Sequence, residues 1–307
     1  QIAYAYDIKI FLQFLLEENP SIKKSYTDLT DIPISVLESL TVTDIEEYME
    51  YLKYRDTDGK KISNKENAIK RKISTLKSVF KYFYRTEKLS ENIMERVQLP
   101  KLHSKEIIRL DIDEVAMMID EAENGEGLSD RQRAYHGKTK VRDVALLSLL
   151  LGTGIRVSEC VGLDISDVDF KNNGILIHRK GGKDVTIYFS DEVKEALQNY
   201  YDERVLILEE SGHEGAFFLS IQNKRLSVRS VENLVKKYAK IISPLKKITP
   251  HKLRSTYGTN LYKETGDIYL VADVLGHSDV NTTKKHYAAI EDDRRRSARN
   301  VVKLREK

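Results

Sequence analysis

Apolar residues in the first third of the chain recur at intervals of three and four, and no stretch there alternates convincingly with a period of two. That predicts a helical region from residue 1 to about Pro100. The opening segment places Ile2, Tyr6, Ile10 and Phe14 on one side of an amphipathic helix. It starts without an N-cap, which implies that the helix begins further upstream. It also lacks the basic leader and small-residue cleavage site of a signal peptide. Lys65 to Lys88 carries a cleaner stripe of Ile69, Ile73, Leu76, Phe80 and Phe83, with Lys70, Lys77, Lys81, Arg85 and Lys88 on other faces. The period breaks in the polar stretch ERVQLPKLHSKEII, residues 95–108, so an interdomain linker is placed at residues 101–109.

Beyond the linker a new helix is expected from Leu110 through Ile119. Residues 123–141 hold three glycines and mixed charge, and predict an exposed loop or a short helical insertion, with Arg131, Arg133, Lys138 and Lys140 as minor candidates for phosphate contact. The run DVALLSLLL, residues 143–151, is apolar all round and predicts a buried helix ending at Gly152-Thr153-Gly154. Two β-branched runs, 174–178 and 185–189, flank Arg179-Lys180-Gly181-Gly182-Lys183-Asp184, which predicts a hairpin. Ser190 and Ser227 are placed to cap helices, the second with Val231, Leu234, Val235 and Tyr238 as its buried face. Thr249-Pro250 opens another helix, and Asp267 opens a shorter one that ends at Gly276. Residues 291–307 trace a tail helix through Ala298, Val301 and Leu304. The fold class is therefore mainly α: a helical domain at 1–100, an α-rich domain with a small antiparallel sheet at 110–290, and the tail.

Composition narrows the classes further. With 307 residues, 40% of them hydrophobic and 32% charged, the chain suits two globular domains. No apolar run approaches the roughly 20 residues that span a bilayer. The single cysteine, Cys160, precludes an internal disulfide, suits a reducing cytoplasm and sits where a core residue is expected. A net charge of +3 says little, but its distribution says more. Between Lys53 and Lys88 twelve Lys or Arg face four acids, an excess that favours phosphate contact through Lys70, Arg71, Lys77 and Lys81. No CxxC cluster, HExxH or phosphate-binding GxxxxGK[ST] loop appears, so metal and nucleotide cofactors have no support in the sequence.

The candidate chemistry lies at helix ends. His251 and Arg254 are three apart and share a helical face. His277 follows Gly276 on a turn, and a Thr-rich approach leads to His286-Tyr287. Far upstream, Arg156 follows Thr153-Gly154, with Glu159 three residues on to pair it. Each alone has an ordinary structural explanation: a solvated HxxR face, an ion pair, a lysine at a turn. Together they resemble the tyrosine recombinases, the phage-integrase-like and Xer-like enzymes that cut and rejoin DNA. That family's signature is an Arg in a TGxRxxE turn, a Lys on a β-hairpin, HxxR, LGH and a terminal Tyr, and all five occur here in order.

The resemblance implies Tyr287 as nucleophile, Arg156 and Arg254 as the clamp on the scissile phosphate, and His251 beside the phenol. It implies His277 as a donor to a non-bridging oxygen and Lys180 as the acid for the departing 5′ oxygen, with Lys183 as its alternative. Of the nearby tyrosines, Tyr257, Tyr262 and Tyr269 lack the family's spacing after LGH. Further DNA contacts are expected from Arg179 and Lys183 on the hairpin, and from the 1–100 domain, which corresponds to the family's core-binding domain. The implied assembly is a C-shaped clamp on double-stranded DNA with inverted-repeat core sites, four copies on two sites with the tail exchanged between protomers, and room for an accessory DNA-bending protein. It would act in the cytoplasm, at the nucleoid, with no cofactor, in integrating or excising a mobile element or in resolving chromosome dimers. A relaxing type IB topoisomerase and a non-catalytic DNA-binding regulator are the alternatives.

Two guanidiniums suit this chemistry because attack on a phosphodiester builds charge on its non-bridging oxygens, and each guanidinium is planar, permanently charged and bidentate. A phenol is a better leaving group than a sugar hydroxyl, so a phosphotyrosine bond can be reversed without ATP.

Overall fold

In the computed structural model the chain divides into two compact units, Gln1–Lys105 and Glu106–Lys307. The structure describes residues 2–57, 60–100, 108–179, 182–276 and 280. It is mainly α, with a small three-stranded antiparallel sheet.

The first unit comprises α1 (Ile2–Glu18), α2 (Pro20–Ser25), α3 (Val42–Lys53), a short hairpin of β1 (Arg55–Thr57) and β2 (Lys60–Ile62), and α4 (Glu66–Arg85). The hairpin corrects the all-helical expectation: each strand is three residues long, too short for alternation to show. On α4 the predicted stripe is buried at Ile69, Ile73, Leu76 and Phe80, and Phe83 packs half-buried at its edge. On α1 the buried face is rotated from the one expected. Asp7, Ile10, Phe11, Phe14 and Leu15 are inside, whereas Ile2 and Tyr6 are exposed. The rotation brings Asp7 to α4, where Arg71 grips both carboxylate oxygens at 2.5 and 2.7 Å, and Lys72 and Thr75 donate at 2.9 and 3.0 Å.

The second unit is built on α7 (Lys140–Thr153), buried almost all round as its sequence requires. Before it come α5 (Ile112–Asn124), capped reciprocally by Asp111 and Glu114, and α6 (Asp130–His136). The stretch 123–141 is thus the helical insertion, held by buried Leu128 and by His136, whose Nε2 lies 2.8 Å from the Ala122 carbonyl. After α7 follow α8 (Val157–Gly162), then β3 (Val168–Asp169), β4 (Gly174–Arg179) and β5 (Lys183–Tyr188) in sheet order β3-β4-β5. Then come α9 (Asp191–Arg204), α10 (Val228–Ile242), α11 (Pro250–Thr265) and α12 (Ile268–Leu275). The Ser190, Ser227 and Asp267 side chains each accept a backbone N–H at the start of the helix they were expected to cap. Thr249 precedes α11 with Pro250 at the first helical position, but its hydroxyl makes no capping bond.

Candidate active site

The site grows from three helix ends. Gly154 terminates α7 in the left-handed region at φ +64°, a conformation that strains any residue with a Cβ. A Cβ there would also collide with the Tyr257 ring on α11 and with Leu275 on α12. This close approach brings the end of α7 against α11 and against the last turn of α12. Gly276, at φ +61°, closes α12 in the same way.

Two arginines far apart in sequence converge there. Arg254, on the buried side of α11 and 6% exposed, donates through Nη1 to the Gly154 carbonyl at 2.6 Å and through Nη2 to the Leu275 carbonyl. Arg156 is the N-cap residue of α8. Its backbone N–H reaches Glu159 Oε2 at 2.7 Å, its Nη1 reaches Glu159 Oε1 at 2.7 Å, and its Nη2 reaches the Gly276 carbonyl at 3.1 Å. Glu159 is only 8% exposed, while 42% of the Arg156 side chain remains accessible. The ion pair expected from the i, i+3 spacing is therefore present, and it orients Arg156 without burying it.

Helix ends also explain why the guanidiniums sit here. The last carbonyls of α12 lack intrahelical partners and carry the negative end of the helix dipole, so cations are favoured against them. Arg179, at the end of β4, joins the cluster: its Nη2 donates to the Val274 carbonyl at 3.2 Å and its side chain is 14% exposed. The hairpin position predicts a DNA contact for Arg179, whereas the structure turns its side chain inward. The signal was the parity of the strand. Ile175 and Ile177 are buried, and two residues on the same face is Arg179, while His178 points out. Among the described residues three guanidiniums meet one carboxylate here, which makes this corner cationic and fit for an anion with oxygens on two sides.

His251 lies exposed at the second position of α11, one turn from Arg254. Lys183 is exposed on β5, opposite Arg179 in the hairpin register. Lys180, His277 and Tyr287 lie outside the described residues. The rival tyrosines divide by environment: Tyr262 is buried in the core, Tyr269 is exposed, and burial pushes the Tyr257 phenol above its ordinary value. Cys160 is fully buried, with its thiol pushed up by that burial, which suits packing rather than nucleophilic attack.

In the first unit the basic candidates separate. Lys81 is exposed and Lys70 half-exposed. Lys77 donates to the Val97 carbonyl at 3.0 Å, and Arg71 is committed to Asp7 although half its side chain is accessible. Lys72 is buried. The cationic excess of this region is thus partly consumed inside the unit.

The chain belongs to the phage integrase family, whose model matches residues 108–294. These are tyrosine recombinases, enzymes that transfer DNA strands. It is similar to the tyrosine recombinase XerC of Caldanaerobacter subterraneus subsp. tengcongensis, at 32% identity over 97% of this chain and 80% of that protein. It is likewise similar to the tyrosine recombinase XerS of Lactococcus lactis subsp. cremoris, at 31% identity over 87% of this chain and 81% of that one. Among solved structures, the integrase of transposon Tn1549 in complex with transposon right-end DNA shares the fold. Its TM-score is 0.66 at 19% identity, covering 96% of this chain and 99% of that one. Among the described residues no helix is long and apolar enough to cross a membrane.

Proposed function

We propose that this site-specific recombinase binds duplex DNA at inverted-repeat core sites and cleaves one strand through Tyr287. The observation that carries the assignment is the convergence of Arg156 and Arg254 on consecutive carbonyls at the end of α12. Held there, the two guanidiniums can take the non-bridging oxygens of one phosphate and neutralise the charge that develops as the phenol oxygen attacks phosphorus. The bond to the 5′ oxygen breaks, Lys180 delivers its proton, and a 3′-phosphotyrosine link conserves the bond for rejoining. His251 exchanges the proton of the phenol, and His277 donates to a non-bridging oxygen. Lys183 is the alternative acid. Outward-facing Lys70 and Lys81 supply phosphate contacts from the first unit.

The working form is a homotetramer on two sites, with the 291–307 tail passed between protomers, acting in the cytoplasm at the nucleoid, with or without an accessory DNA-bending protein. Similarity to Xer recombinases and to a transposon integrase supports both chromosome dimer resolution and mobile-element transfer as settings.

The test begins with a site selected by this chain from random-sequence duplexes, then nicked beside the cleavage point so that the covalent complex is trapped. Wild type should accumulate a protein–DNA adduct in EDTA and without ATP, because arginines supply the charge. Tyr287→Phe should give no adduct while its DNA affinity changes less than about threefold, about 0.7 kcal/mol at 1.4 kcal/mol per decade. Adduct formation by Tyr287→Phe moves the nucleophile elsewhere. Relaxation of supercoils with no exchange between paired sites would favour a topoisomerase.

A further inference from the structure

Arg179 is misplaced for a residue that touches DNA. It ends β4 beside the hairpin turn, closed by the Gly182 N–H on the Arg179 carbonyl at 3.2 Å, yet its side chain runs back into the unit. There it meets two things at once. Its Nη2 takes the Val274 carbonyl, and its Nε lies 3.6 Å from Glu159 Oε1, the same oxygen that receives Arg156 Nη1 at 2.7 Å. That Nε has no hydrogen-bond partner among the described residues. Arg179, Arg254 and Arg156 therefore occupy the carbonyls of Val274, Leu275 and Gly276, three successive residues of one helix end. Gly276 is required for this as well as for its positive φ, because a Cβ there would fall on the Arg179 guanidinium.

We propose that Arg179 is a positioning residue for Arg156, acting through their shared Glu159, with its bond to the Val274 carbonyl holding its own guanidinium in place. This rests on the assignment of Arg156 to the scissile phosphate. Glu159 is nearly buried, and a lone carboxylate beside a half-exposed guanidinium draws that guanidinium toward itself. A second cation on the same oxygen spreads the attraction and leaves Arg156 free to divide its N–H groups between Glu159, Gly276 and a phosphate. Only a guanidinium can perform this task, since one face must reach a carbonyl while Nε faces a carboxylate. An ammonium would satisfy one or the other.

The experiment uses the full chain and the selected nicked duplex, with Arg179→Ala and Arg179→Lys beside Arg156→Ala. Single-turnover adduct formation should fall at least tenfold in both Arg179 variants, lysine failing to rescue. Equilibrium DNA affinity, and the slope of log Kd against log salt, should stay at wild-type values. If Arg179 instead touches a phosphate, that slope drops by about one and affinity weakens, which overturns the proposal. A methylphosphonate at the scissile position removes the charge of one non-bridging oxygen, so it asks less of Arg156. On it the Arg179→Ala deficit should shrink several-fold, and a merely structural loss would leave the deficit unchanged.

In Glu159→Gln, adding Arg179→Ala should cost no more than about a further twofold. A full tenfold loss there would show that Arg179 does not act through the carboxylate. Should Arg179→Ala fail to fold, Arg179→Lys carries the same comparisons. Normal cleavage by both Arg179 variants, with Arg156→Ala inactive, refutes the positioning role and leaves the recombinase assignment standing. No adduct from wild type, or full activity in Arg156→Ala, removes the assignment itself and the inference with it.

Discussion

Asp7 is a buried carboxylate on a helix face that is otherwise apolar. It sits on α1 among apolar neighbours, with four hydrogen bonds from Arg71, Lys72 and Thr75. Lys72 is itself buried, so each charge needs the other. Replacing Asp7 by Asn leaves the ammonium uncompensated, and should destabilise the protein by about 3 kcal/mol in urea unfolding. The pH dependence has a defined sign. Burial alone raises the Asp7 carboxyl, but hydrogen bonds from Lys72, Arg71 and Thr75 outweigh it and hold the carboxyl below its ordinary value. Its stabilisation is therefore present above the ordinary carboxylate range and lost as pH falls through the lowered folded value. Urea midpoints measured against pH should show this acid-side loss in wild type and a flatter acid limb in Asp7→Asn. Equal midpoints for the two proteins at neutral pH would contradict the network's importance.

At the scale of elements, the β4–β5 hairpin joins the site to solvent. Its inner face anchors Ile175, Ile177 and Arg179, and its outer face carries His178. The His178 Nδ1 lies 2.8 Å from Asp184 across the strand pair, and Nε2 lies 3.5 Å from Asp167. The hydrogen bond with Asp184, then its charge and that of Asp167, raise the imidazole above its ordinary value. A raised value means the cross-strand contribution is complete below about pH 6.5, the unperturbed histidine value, and is lost as pH rises through the folded one. An NMR titration of the His178 ring should give a midpoint above 6.5 in wild type, and Asp184→Asn should bring it down. An unchanged midpoint in that variant would remove Asp184 as the cause.

For the whole molecule, the proposed exchange of residues 291–307 between protomers is the point to test. The sequence predicts a helix there with Ala298, Val301 and Leu304 on one face, and a helix that short is marginal alone, so it needs a surface on which to bury that face. We expect that surface to be a neighbouring protomer. Deleting residues 297–307 should leave half-site binding by one protomer within about twofold, and should weaken cooperative occupation of the full site by at least tenfold in gel-shift titrations. A truncated protein that pairs sites and recombines normally would assign the tail to its own protomer.

What the sequence determined by itself was local. Ser190, Ser227 and Asp267 found their backbone donors, Gly154 and Gly276 ended their helices, and the all-apolar run became the buried α7, because caps, left-handed turns and periodicity act over a few residues. The Arg156–Glu159 pair was legible for the same reason, being one helical turn apart. Motif order pointed to the family without any geometry. Tertiary structure decided what depends on distant segments meeting. The burial of Asp7 on α1 depends on cations on α4, which no pattern within α1 could announce. Two of the four expected phosphate contacts, Arg71 and Lys77, instead hold partners within the unit, although Arg71 stays half accessible. Arg179 became part of an arginine cluster because the open carbonyls of α12 lie where β4 ends. An unsatisfied helix end attracts whichever cation the fold brings to it, and only the packing of α7, α11 and α12 specifies which one arrives.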